Sequence, residues 1–278
     1  MKRFPSLALS LLLATTTFQS RAGTLAQFRT VFGNIEVELY DQDKPVTAAN
    51  FLEYVGTGAY DGLFIQRCDP NFVIQAGRYH VVNNSGTLQI VPIPVFGFIT
   101  NEYSVGRTFS NTRGTIAMAR IGGQTNSAGS QWFFNLKDNA ALDNVDGGFT
   151  VFGHVVGDFT ALDWFTKFSG ANQTNVIVNA TGIAPEFGNL PLLTPNFTYN
   201  DLLYVDISIL NVQVTGSAAG RQISWNSVAN RTNRVEFTTN FPPVWSTLVS
   251  TNGSGNVMQV TDPGTNSAAR FYRVRVDF

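Results

Sequence analysis

Short runs of alternating apolar and polar residues dominate this chain. Ile35, Val37 and Leu39 alternate with glutamates, and residues 203–211 repeat the pattern. A period of two puts successive side chains on opposite faces of a strand, so both segments predict half-buried strands. Five more short strands are predicted at 64–67, 72–75, 115–120, 131–136 and 150–156.

Helical spacing occurs in two segments. Pro45 opens a stretch whose apolar residues fall at i, i+3, i+4 and i+7, and Gly56 and Gly58 end it. Residues 159–168 carry the second pattern, with apolar residues on adjacent turns. Many short strands with two helices predict a mainly β fold, an antiparallel barrel whose ends are closed by the helices.

The composition divides the chain into two parts. Residues 169–200 predict a long connection, and the small residues of 215–220 predict a linker. Beyond it, alternating segments predict a separate all-β module at 216–278, of unclear family and role, with its two tryptophans in the core. We therefore predict a barrel domain at 26–212 followed by this small module.

The first 22 residues predict a secretory signal peptide. Two basic residues precede a short apolar run, and a small-x-small cleavage site at 20–22 stands before Gly23. The apolar run is shorter than the roughly 20 residues of a membrane span, and no later segment reaches that length. We expect an exported protein, periplasmic or extracellular, with no integral membrane segment in its mature form.

Charged and metal-binding residues are scarce. Charged residues make up 13% of the chain, and a formal net charge of −1 with no basic cluster argues against nucleic-acid binding. Removing residues 1–22 leaves 15 basic and 19 acidic residues, a net charge of −4. One cysteine and two histidines cannot form the usual Cys/His zinc site or a disulfide framework, so we predict no metal and no cofactor.

The sequence shows no hydrolase motif. It contains no Gly-x-Ser-x-Gly, and neither His80 nor His154 has an acidic partner in a recognisable pattern. Cys68 lies in an apolar strand, which favours an unpaired core residue over a nucleophile despite the adjacent Arg67. Residues 143–148 lack the ligand spacing and final glutamate of a calcium loop and instead predict a hairpin turn.

Two sequence clusters carry the most informative motifs. The first, FIQRCDPNFVIQAG at 64–77, places an arginine, a phenylalanine and a glutamine on neighbouring strands joined by a Pro-Asn turn. The second comprises GTIAMAR at 114–120, NSAGSQWFFN at 126–135, LD at 142–143 and FTVFG at 149–153. From about residue 26 to residue 212, these ordered motifs resemble cyclophilin-type peptidyl-prolyl cis-trans isomerases. The resemblance implies an eight-stranded antiparallel barrel closed by two helices.

The resemblance also implies an active face that binds proline-containing polypeptides. Arg67 matches the guanidinium that stabilises the twisted amide, and Gln75 matches the amide that holds a substrate carbonyl and steadies the arginine. The matching substrate-binding residues form the proline pocket, the edge strand that bonds the peptide and the wall that supports it: Phe72, Val73, Ala119, Arg120, Gln131, Phe133, Leu142 and Phe149. Rotation about an X–Pro bond needs no nucleophile, metal or cofactor, which agrees with the composition.

Five positions depart from the family's pattern: Gln66, Ala76, Arg120, Ala141 and Phe149. Gln66 replaces a histidine, Ala76 a glycine, and Arg120 an asparagine, so that the groove gains a charge. Ala141 lies where some members carry a tryptophan, so the resemblance does not extend to cyclosporin binding. The sequence predicts a working isomerase that assists folding of exported proteins; the alternative is a non-catalytic peptide- or surface-binding protein on the same scaffold.

Overall fold

The computed structural model describes residues 23–210, 212–217, 219–227, 231–240, 244–264 and 269–277. The predicted signal peptide, 1–22, lies outside these residues. Up to Leu210 the strands are, in chain order, β1 (Leu25–Thr30), β2 (Gly33–Leu39), β3 (Arg67–Cys68), β4 (Val73–Ala76), β5 (Tyr79–Asn84), β6 (Thr87–Pro92), β7 (Thr115–Met118), β8 (Trp132–Asn135), β9 (Val151–Val155), β10 (Val176–Val178), β11 (Leu190–Leu192) and β12 (Asp206–Leu210).

Eight of these strands form one antiparallel sheet in the order β12-β1-β2-β9-β7-β8-β4-β3. The predicted mainly β architecture with eight antiparallel strands is therefore confirmed. The alternation in β2 has the expected effect, because Ile35, Val37 and Leu39 are buried while the glutamates between them are partly exposed. Inside the curled sheet, the Phe28 ring packs edge-on against Trp132 at a centroid distance of 5.1 Å.

The first helix, α1 (Pro45–Gly56), matches the prediction. Its first backbone N–H groups are satisfied by the Glu102 carboxylate, which accepts hydrogen bonds from Val46 N at 3.1 Å and Thr47 N at 2.7 Å. A carboxylate at this end also interacts favourably with the helix dipole. Lys44 is buried just before the helix, and its Nζ donates to three backbone carbonyls of the segment that carries Glu102.

The second helix is shorter than predicted. α2 covers Thr160–Asp163 and continues as a 3-10 helix over Trp164–Lys167, so the predicted span 159–168 is divided between two helix types. The predicted connection at 169–200 also contains structure, since β10 and β11 pair within it. With the β5–β6 hairpin, which was not predicted, this segment forms a second apolar cluster around Phe64, Phe187 and Leu190.

The C-terminal residues form two three-stranded antiparallel sheets, β13-β14-β17 and β16-β15-β18. Their strands are β13 (Val212–Ser217), β14 (Gly220–Asn226), β15 (Thr232–Thr238), β16 (Ser246–Asn252), β17 (Val257–Asp262) and β18 (Phe271–Asp277). Ile223, Trp225, Val235 and Val274 form the apolar core between them. The linker predicted at 215–220 is wrong, because β13 extends to Ser217 and β14 begins at Gly220. The division into 26–212 and 216–278 stays a prediction.

In the part of the chain that the structure describes, no helix has both the length and the apolar character needed to cross a membrane.

Candidate active site

The β3–β4 hairpin positions the arginine and glutamine that the sequence singled out. Asp69 begins the turn, with its N–H donating to Val73 O at 2.8 Å and its carbonyl accepting from Phe72 N at 2.9 Å. In this register Arg67 lies directly opposite Gln75. Since side chains alternate along a strand, Val73 and Gln75 share the outer face of β4, and Ile74 and Ala76 enter the core.

β8 lies beside this hairpin and supplies an apolar wall. Phe133 pairs with Gln75 across the two strands, while its neighbours Trp132 and Phe134 point into the barrel core. Phe133 packs edge-on against Phe149 at a centroid distance of 5.8 Å. Phe133 and Val73 belong to an apolar cluster separate from the main core, so this face of the sheet is apolar as well.

One cavity of about 160 Å³ opens on this face. Nine of the ten predicted site residues line it: Arg67, Phe72, Val73, Gln75, Ala119, Arg120, Phe133, Leu142 and Phe149. The cavity is smaller than the roughly 300–1,000 Å³ typical of cofactor and drug-sized ligand sites. Its size suits a single small ring, and its lining combines six apolar residues with Gln75 and two arginines, Arg67 and Arg120.

The tenth predicted residue, Gln131, lies behind the cavity and contacts it through another side chain. Gln131 Oε1 accepts a hydrogen bond from Gln75 Nε2 at 2.9 Å and a second from Gln66 Nε2 at 2.8 Å. Gln75 Oε1 in turn accepts from Arg67 Nη1 at 3.3 Å. The three glutamines therefore form a connected chain of amides that ends at the arginine.

The Arg67 guanidinium is partly exposed. Among the described residues it has no carboxylate within 4.0 Å, so it forms no ion pair with the nearby Asp69. Its carbon lies 5.7 Å from the centre of the Phe72 ring. A guanidinium carries five N–H donors, and the bond to Gln75 uses one of them.

Arg120 was expected to add a charge to the groove, but its guanidinium holds neighbouring loops together. Nη1 donates to Thr125 O at 3.1 Å and Asp146 O at 2.9 Å, and Nη2 donates to Val145 O at 3.1 Å. The guanidinium lies 4.3 Å from the centre of the Phe149 ring. Burial lowers the pKa of Arg120, an effect that the charge of Asp146 opposes. Arg120 thus holds in place the loop backbone next to Phe149.

The structure explains two further sequence features. Ala76 lies in regular strand β4, whereas Gly77 has a φ of +94° and a Cβ there would lie 2.2 Å from Ser130 O. Only the second of these two positions therefore requires glycine. Burial raises the pKa of the Cys68 thiol far above its ordinary value, and the residue is unpaired in the core, as predicted.

Residues 143–148 do not form the expected hairpin turn. Residues 140–144 form a 3-10 helix, and Asp146, Gly147 and Gly148 follow it with positive φ. Asp143 faces inward, where Oδ1 accepts hydrogen bonds from Asn111 N at 2.9 Å and Asn111 Nδ2 at 2.8 Å. Among the described residues no three His, Cys, Asp or Glu side chains come together as a metal site would require.

Sequence reasoning missed the contribution of Gln66, which it treated only as a departure from a pattern. Gln66 is 1% exposed and bonds residues that are distant in sequence. Asn139 was also missed, although its Nδ2 donates to Phe72 O at 2.9 Å and so holds the backbone of a pocket residue. Neither role leaves a local signal, because both depend on which segments the fold brings together.

A second, larger cleft of about 580 Å³ lies between the β1–β2 turn and β18. It contains none of the predicted site residues. Three arginines line it, and all three are in ion pairs: Arg29 pairs with Asp206, Arg273 Nε lies 2.6 Å from Glu236 Oε2, and Arg275 Nε lies 3.9 Å from Glu36 Oε1.

Comparison with known proteins identifies related chains. The family described as cyclophilin type peptidyl-prolyl cis-trans isomerase/CLD matches residues 25–183. A peptidyl-prolyl cis-trans isomerase of Acinetobacter baylyi is 40% identical over 144 residues, covering 51% of this chain and 71% of that protein. Peptidyl-prolyl cis-trans isomerase A of Dickeya dadantii is 38% identical over 170 residues, covering 60% of this chain and 83% of that protein.

Among solved structures, a cyclophilin type peptidyl-prolyl cis-trans isomerase of Cryptosporidium parvum, crystallised in the presence of the dipeptide Ala-Pro, aligns with a TM-score of 0.46. The alignment has 18% sequence identity and covers 66% of this chain and 98% of that chain.

Proposed function

From the premise that this chain belongs to the cyclophilin-type peptidyl-prolyl cis-trans isomerases, we propose that the Arg67 cavity is its active site. The chain is an isomerase of X–Pro bonds. The observation that carries the proposal is that nine residues selected from the sequence line one cavity, while the tenth bonds Gln75 behind it.

The reaction needs electrostatic stabilisation rather than bond breaking. Rotation about the amide C–N bond must cross a barrier of roughly 18–20 kcal/mol, because the rotation removes the resonance of the planar amide. At the twisted geometry the prolyl nitrogen regains its lone pair and becomes a hydrogen-bond acceptor. Arg67 donates to this nitrogen, so it stabilises the transition state more than the planar ground state. A 10⁵-fold acceleration corresponds to about 7 kcal/mol, to which substrate orientation also contributes.

The apolar walls bind the proline ring and hold it still while the preceding carbonyl rotates. Phe72, Phe133 and Leu142 surround the ring, and Gln75 fixes the direction of the guanidinium beside it. One hydrogen of Gln75 Nε2 is bonded to Gln131, so the other is available for a substrate carbonyl.

The segment at Ala119 binds the peptide backbone. It was expected to be an edge strand, but Ala119 follows the end of β7, and β7 pairs with both β8 and β9 inside the sheet. Ala119 N already donates to Gln131 O at 2.9 Å, so the contact to substrate uses the Ala119 carbonyl. Arg120 supports this segment through the loop carbonyls that it bonds, rather than offering a charge to the substrate.

The experiment is cis-to-trans relaxation of an Ala-Pro peptide with wild type and Arg67→Ala. Arg113→Ala is the matched control, because it removes a partly exposed arginine that pairs with Asp163. We expect catalysis by wild type and by the control, and a rate near the uncatalysed one with Arg67→Ala. Wild-type relaxation at the uncatalysed rate would contradict the isomerase function, and a fully active Arg67→Ala would remove Arg67 from the site.

We further propose that the isomerase is exported and assists the folding of proteins outside the cytoplasm. The predicted signal peptide supports export, and so does the position of Gly23. Its backbone nitrogen lies 2.9 Å from Glu38 Oε1, so cleavage after residue 22 would place a new α-amino group within ion-pair distance of a carboxylate.

Two measurements test export and folding assistance. N-terminal sequencing of the chain recovered from the periplasm or medium of a bacterial host should begin at Gly23, and a chain retained in the cytoplasm with residues 1–22 intact would contradict export. Catalytic amounts should also accelerate the proline-limited phase in the refolding of a secreted protein, a phase that takes about 10–100 s uncatalysed. An unchanged phase would contradict folding assistance.

A further inference from the structure

Gln66 is buried beside the proposed site and has no contact with the cavity itself. Its Oε1 accepts a hydrogen bond from the backbone N–H of Arg78 at 2.9 Å, and its Nε2 donates to Gln131 Oε1 at 2.8 Å. Both ends of one amide are therefore bonded. Its 1% exposure leaves little room for water to substitute for either partner.

We infer that Gln66 is a positioning residue for the isomerase reaction: it sets the direction of the amide chain that aims Arg67. The inference rests on the proposed function, because it assigns Gln66 a part in the same site. It goes beyond the pocket residues, since Gln66 acts two side chains away from the arginine.

The direction of the amide chain follows from its two ends. A side-chain amide can present either oxygen or nitrogen, so its orientation is decided by partners that cannot invert. The backbone N–H of Arg78 is such a partner, since it can only donate. It requires the oxygen of Gln66, which turns the Gln66 nitrogen towards Gln131.

The same constraint passes to the next two residues. Gln131 must accept from Gln66 and therefore presents its oxygen, which also accepts from Gln75 Nε2. Gln75 is left with its oxygen facing the guanidinium of Arg67, which can only donate. The chain therefore has a group that can only donate at each end, the Arg78 N–H and the Arg67 guanidinium. Between them, the amide nitrogens of Gln66 and Gln75 both donate to the Gln131 oxygen.

Removing the hydrogen-bond donor of Gln66 should reverse the orientation of the Gln131 and Gln75 side-chain amides. In Gln66→Glu an ionised carboxylate has no hydrogen to donate, so Gln131 satisfies it by presenting its nitrogen instead. Gln75 then offers its oxygen to Gln131 and its nitrogen to Arg67, where two donors face each other. Gln66→Leu deletes the partner without imposing the reversed orientation, and Gln66→His keeps a ring acceptor for Arg78 N–H and a ring N–H donor for Gln131.

The test measures kcat and KM on an Ala-Pro peptide by NMR exchange at about pH 7 and about pH 9, because burial raises the pKa of a carboxyl and the higher pH ionises the carboxyl of Gln66→Glu. The temperature is one at which melting curves show each variant folded. Wild type defines catalysis. Gln27→Leu is the matched control, because Gln27 is also 1% exposed but lies on β1, which pairs with β2 and β12 rather than with the site strands.

We expect kcat to fall about tenfold or more in Gln66→Glu and by less in Gln66→Leu, with KM little changed, because the ground-state pocket is intact. Gln66→His should recover most of the wild-type kcat. The side-chain NH₂ resonances of Gln75 should shift in Gln66→Glu and stay unchanged in Gln27→Leu.

Three outcomes overturn the inference while leaving the isomerase function in place: unchanged kcat in Gln66→Glu, a loss in Gln27→Leu equal to that in Gln66→Glu, or unmoved Gln75 resonances. An inactive wild type would instead contradict the proposed function.

Discussion

Arg67 and Gln75 face each other across the β3–β4 hairpin, with Arg67 Nη1 3.3 Å from Gln75 Oε1. The hairpin fixes this relationship, since the two residues are direct partners in the register. A long, flexible arginine side chain loses conformational entropy when it is held in one orientation. The Gln75 oxygen offsets part of that cost and keeps the guanidinium at the edge of the apolar cavity.

Replacing Gln75 with alanine should therefore impair catalysis more than folding. A hydrogen bond to a charged group contributes about 1.5–3 kcal/mol, which corresponds to a loss of about ten- to a hundredfold in kcat/KM if the bond acts mainly in the transition state. Ala-Pro relaxation and thermal melting, measured on the same preparation, check this. A Gln75→Ala variant with wild-type kcat/KM would show that Arg67 needs no such support.

Removal of Arg120 should destabilise the barrel. Arg120→Ala removes the guanidinium that bonds the carbonyls of Thr125, Val145 and Asp146. These residues are exposed and Asp146 O keeps the Thr125 hydroxyl as a donor, so water replaces part of the loss and the free energy of unfolding should fall by about 1–2 kcal/mol. Arg120→Lys should recover little of the loss, because an ammonium lacks the planar fork that reaches two loops.

Urea unfolding of both Arg120 variants gives the comparison, with Arg113→Ala as the control. That arginine belongs to a partly exposed pair with Asp163, so its removal should lower the free energy of unfolding by at most about 1 kcal/mol. Wild-type stability in Arg120→Ala would mean that the loops are held by other contacts.

Tyr40 should make the protein sensitive to alkali. Its ring stacks on Phe109 at a centroid distance of 3.9 Å, and burial, helped by the charge of Glu38, raises the pKa of Tyr40 from 10.0 to about 12. Below pH 10 both folded and unfolded chains keep the phenol proton. Between pH 10 and about 12 the unfolded chain loses it while the folded chain retains it, so the contribution to stability disappears over this window.

The measurement for Tyr40 compares the free energy of unfolding of wild type and Tyr40→Phe at about pH 9 and about pH 11.5. Wild type should lose more between the two than Tyr40→Phe, which cannot titrate at this position. Equal losses in the two proteins would show that the Tyr40 phenol ionises as readily in the folded chain as in the unfolded one.

The sequence predicted the elements that depend on interactions between residues close together in the chain. Alternation in β2 and helical spacing after Pro45 are visible within a few residues, and the structure confirms both. The β3–β4 hairpin was predicted for the same reason, since Pro70 and Asn71 form a recognisable turn between two short apolar runs.

The errors are of two kinds, missed local hairpins and missed contacts between distant segments. The composition of 215–220 is typical of a linker, yet β13 continues to Ser217 because β14 pairs with it. The β5–β6 hairpin was missed although Ser85 and Gly86 form a local turn at positive φ, and it also packs against residues 176–204. Gln66 and Gln131 are 65 positions apart, so their hydrogen bond leaves no mark in either local sequence.

The measurement that tests the central claim most directly separates binding from rotation at Arg67. NMR line-shape analysis of an Ala-Pro peptide with Arg67→Ala gives the dissociation constant of the planar peptide and the catalysed exchange rate from the same titration. If the guanidinium stabilises the twisted amide, the exchange rate should fall by about a hundredfold or more while the dissociation constant changes by no more than about threefold. An increased dissociation constant with an unchanged exchange rate of the bound peptide would contradict that role and leave Arg67 as a binding contact only.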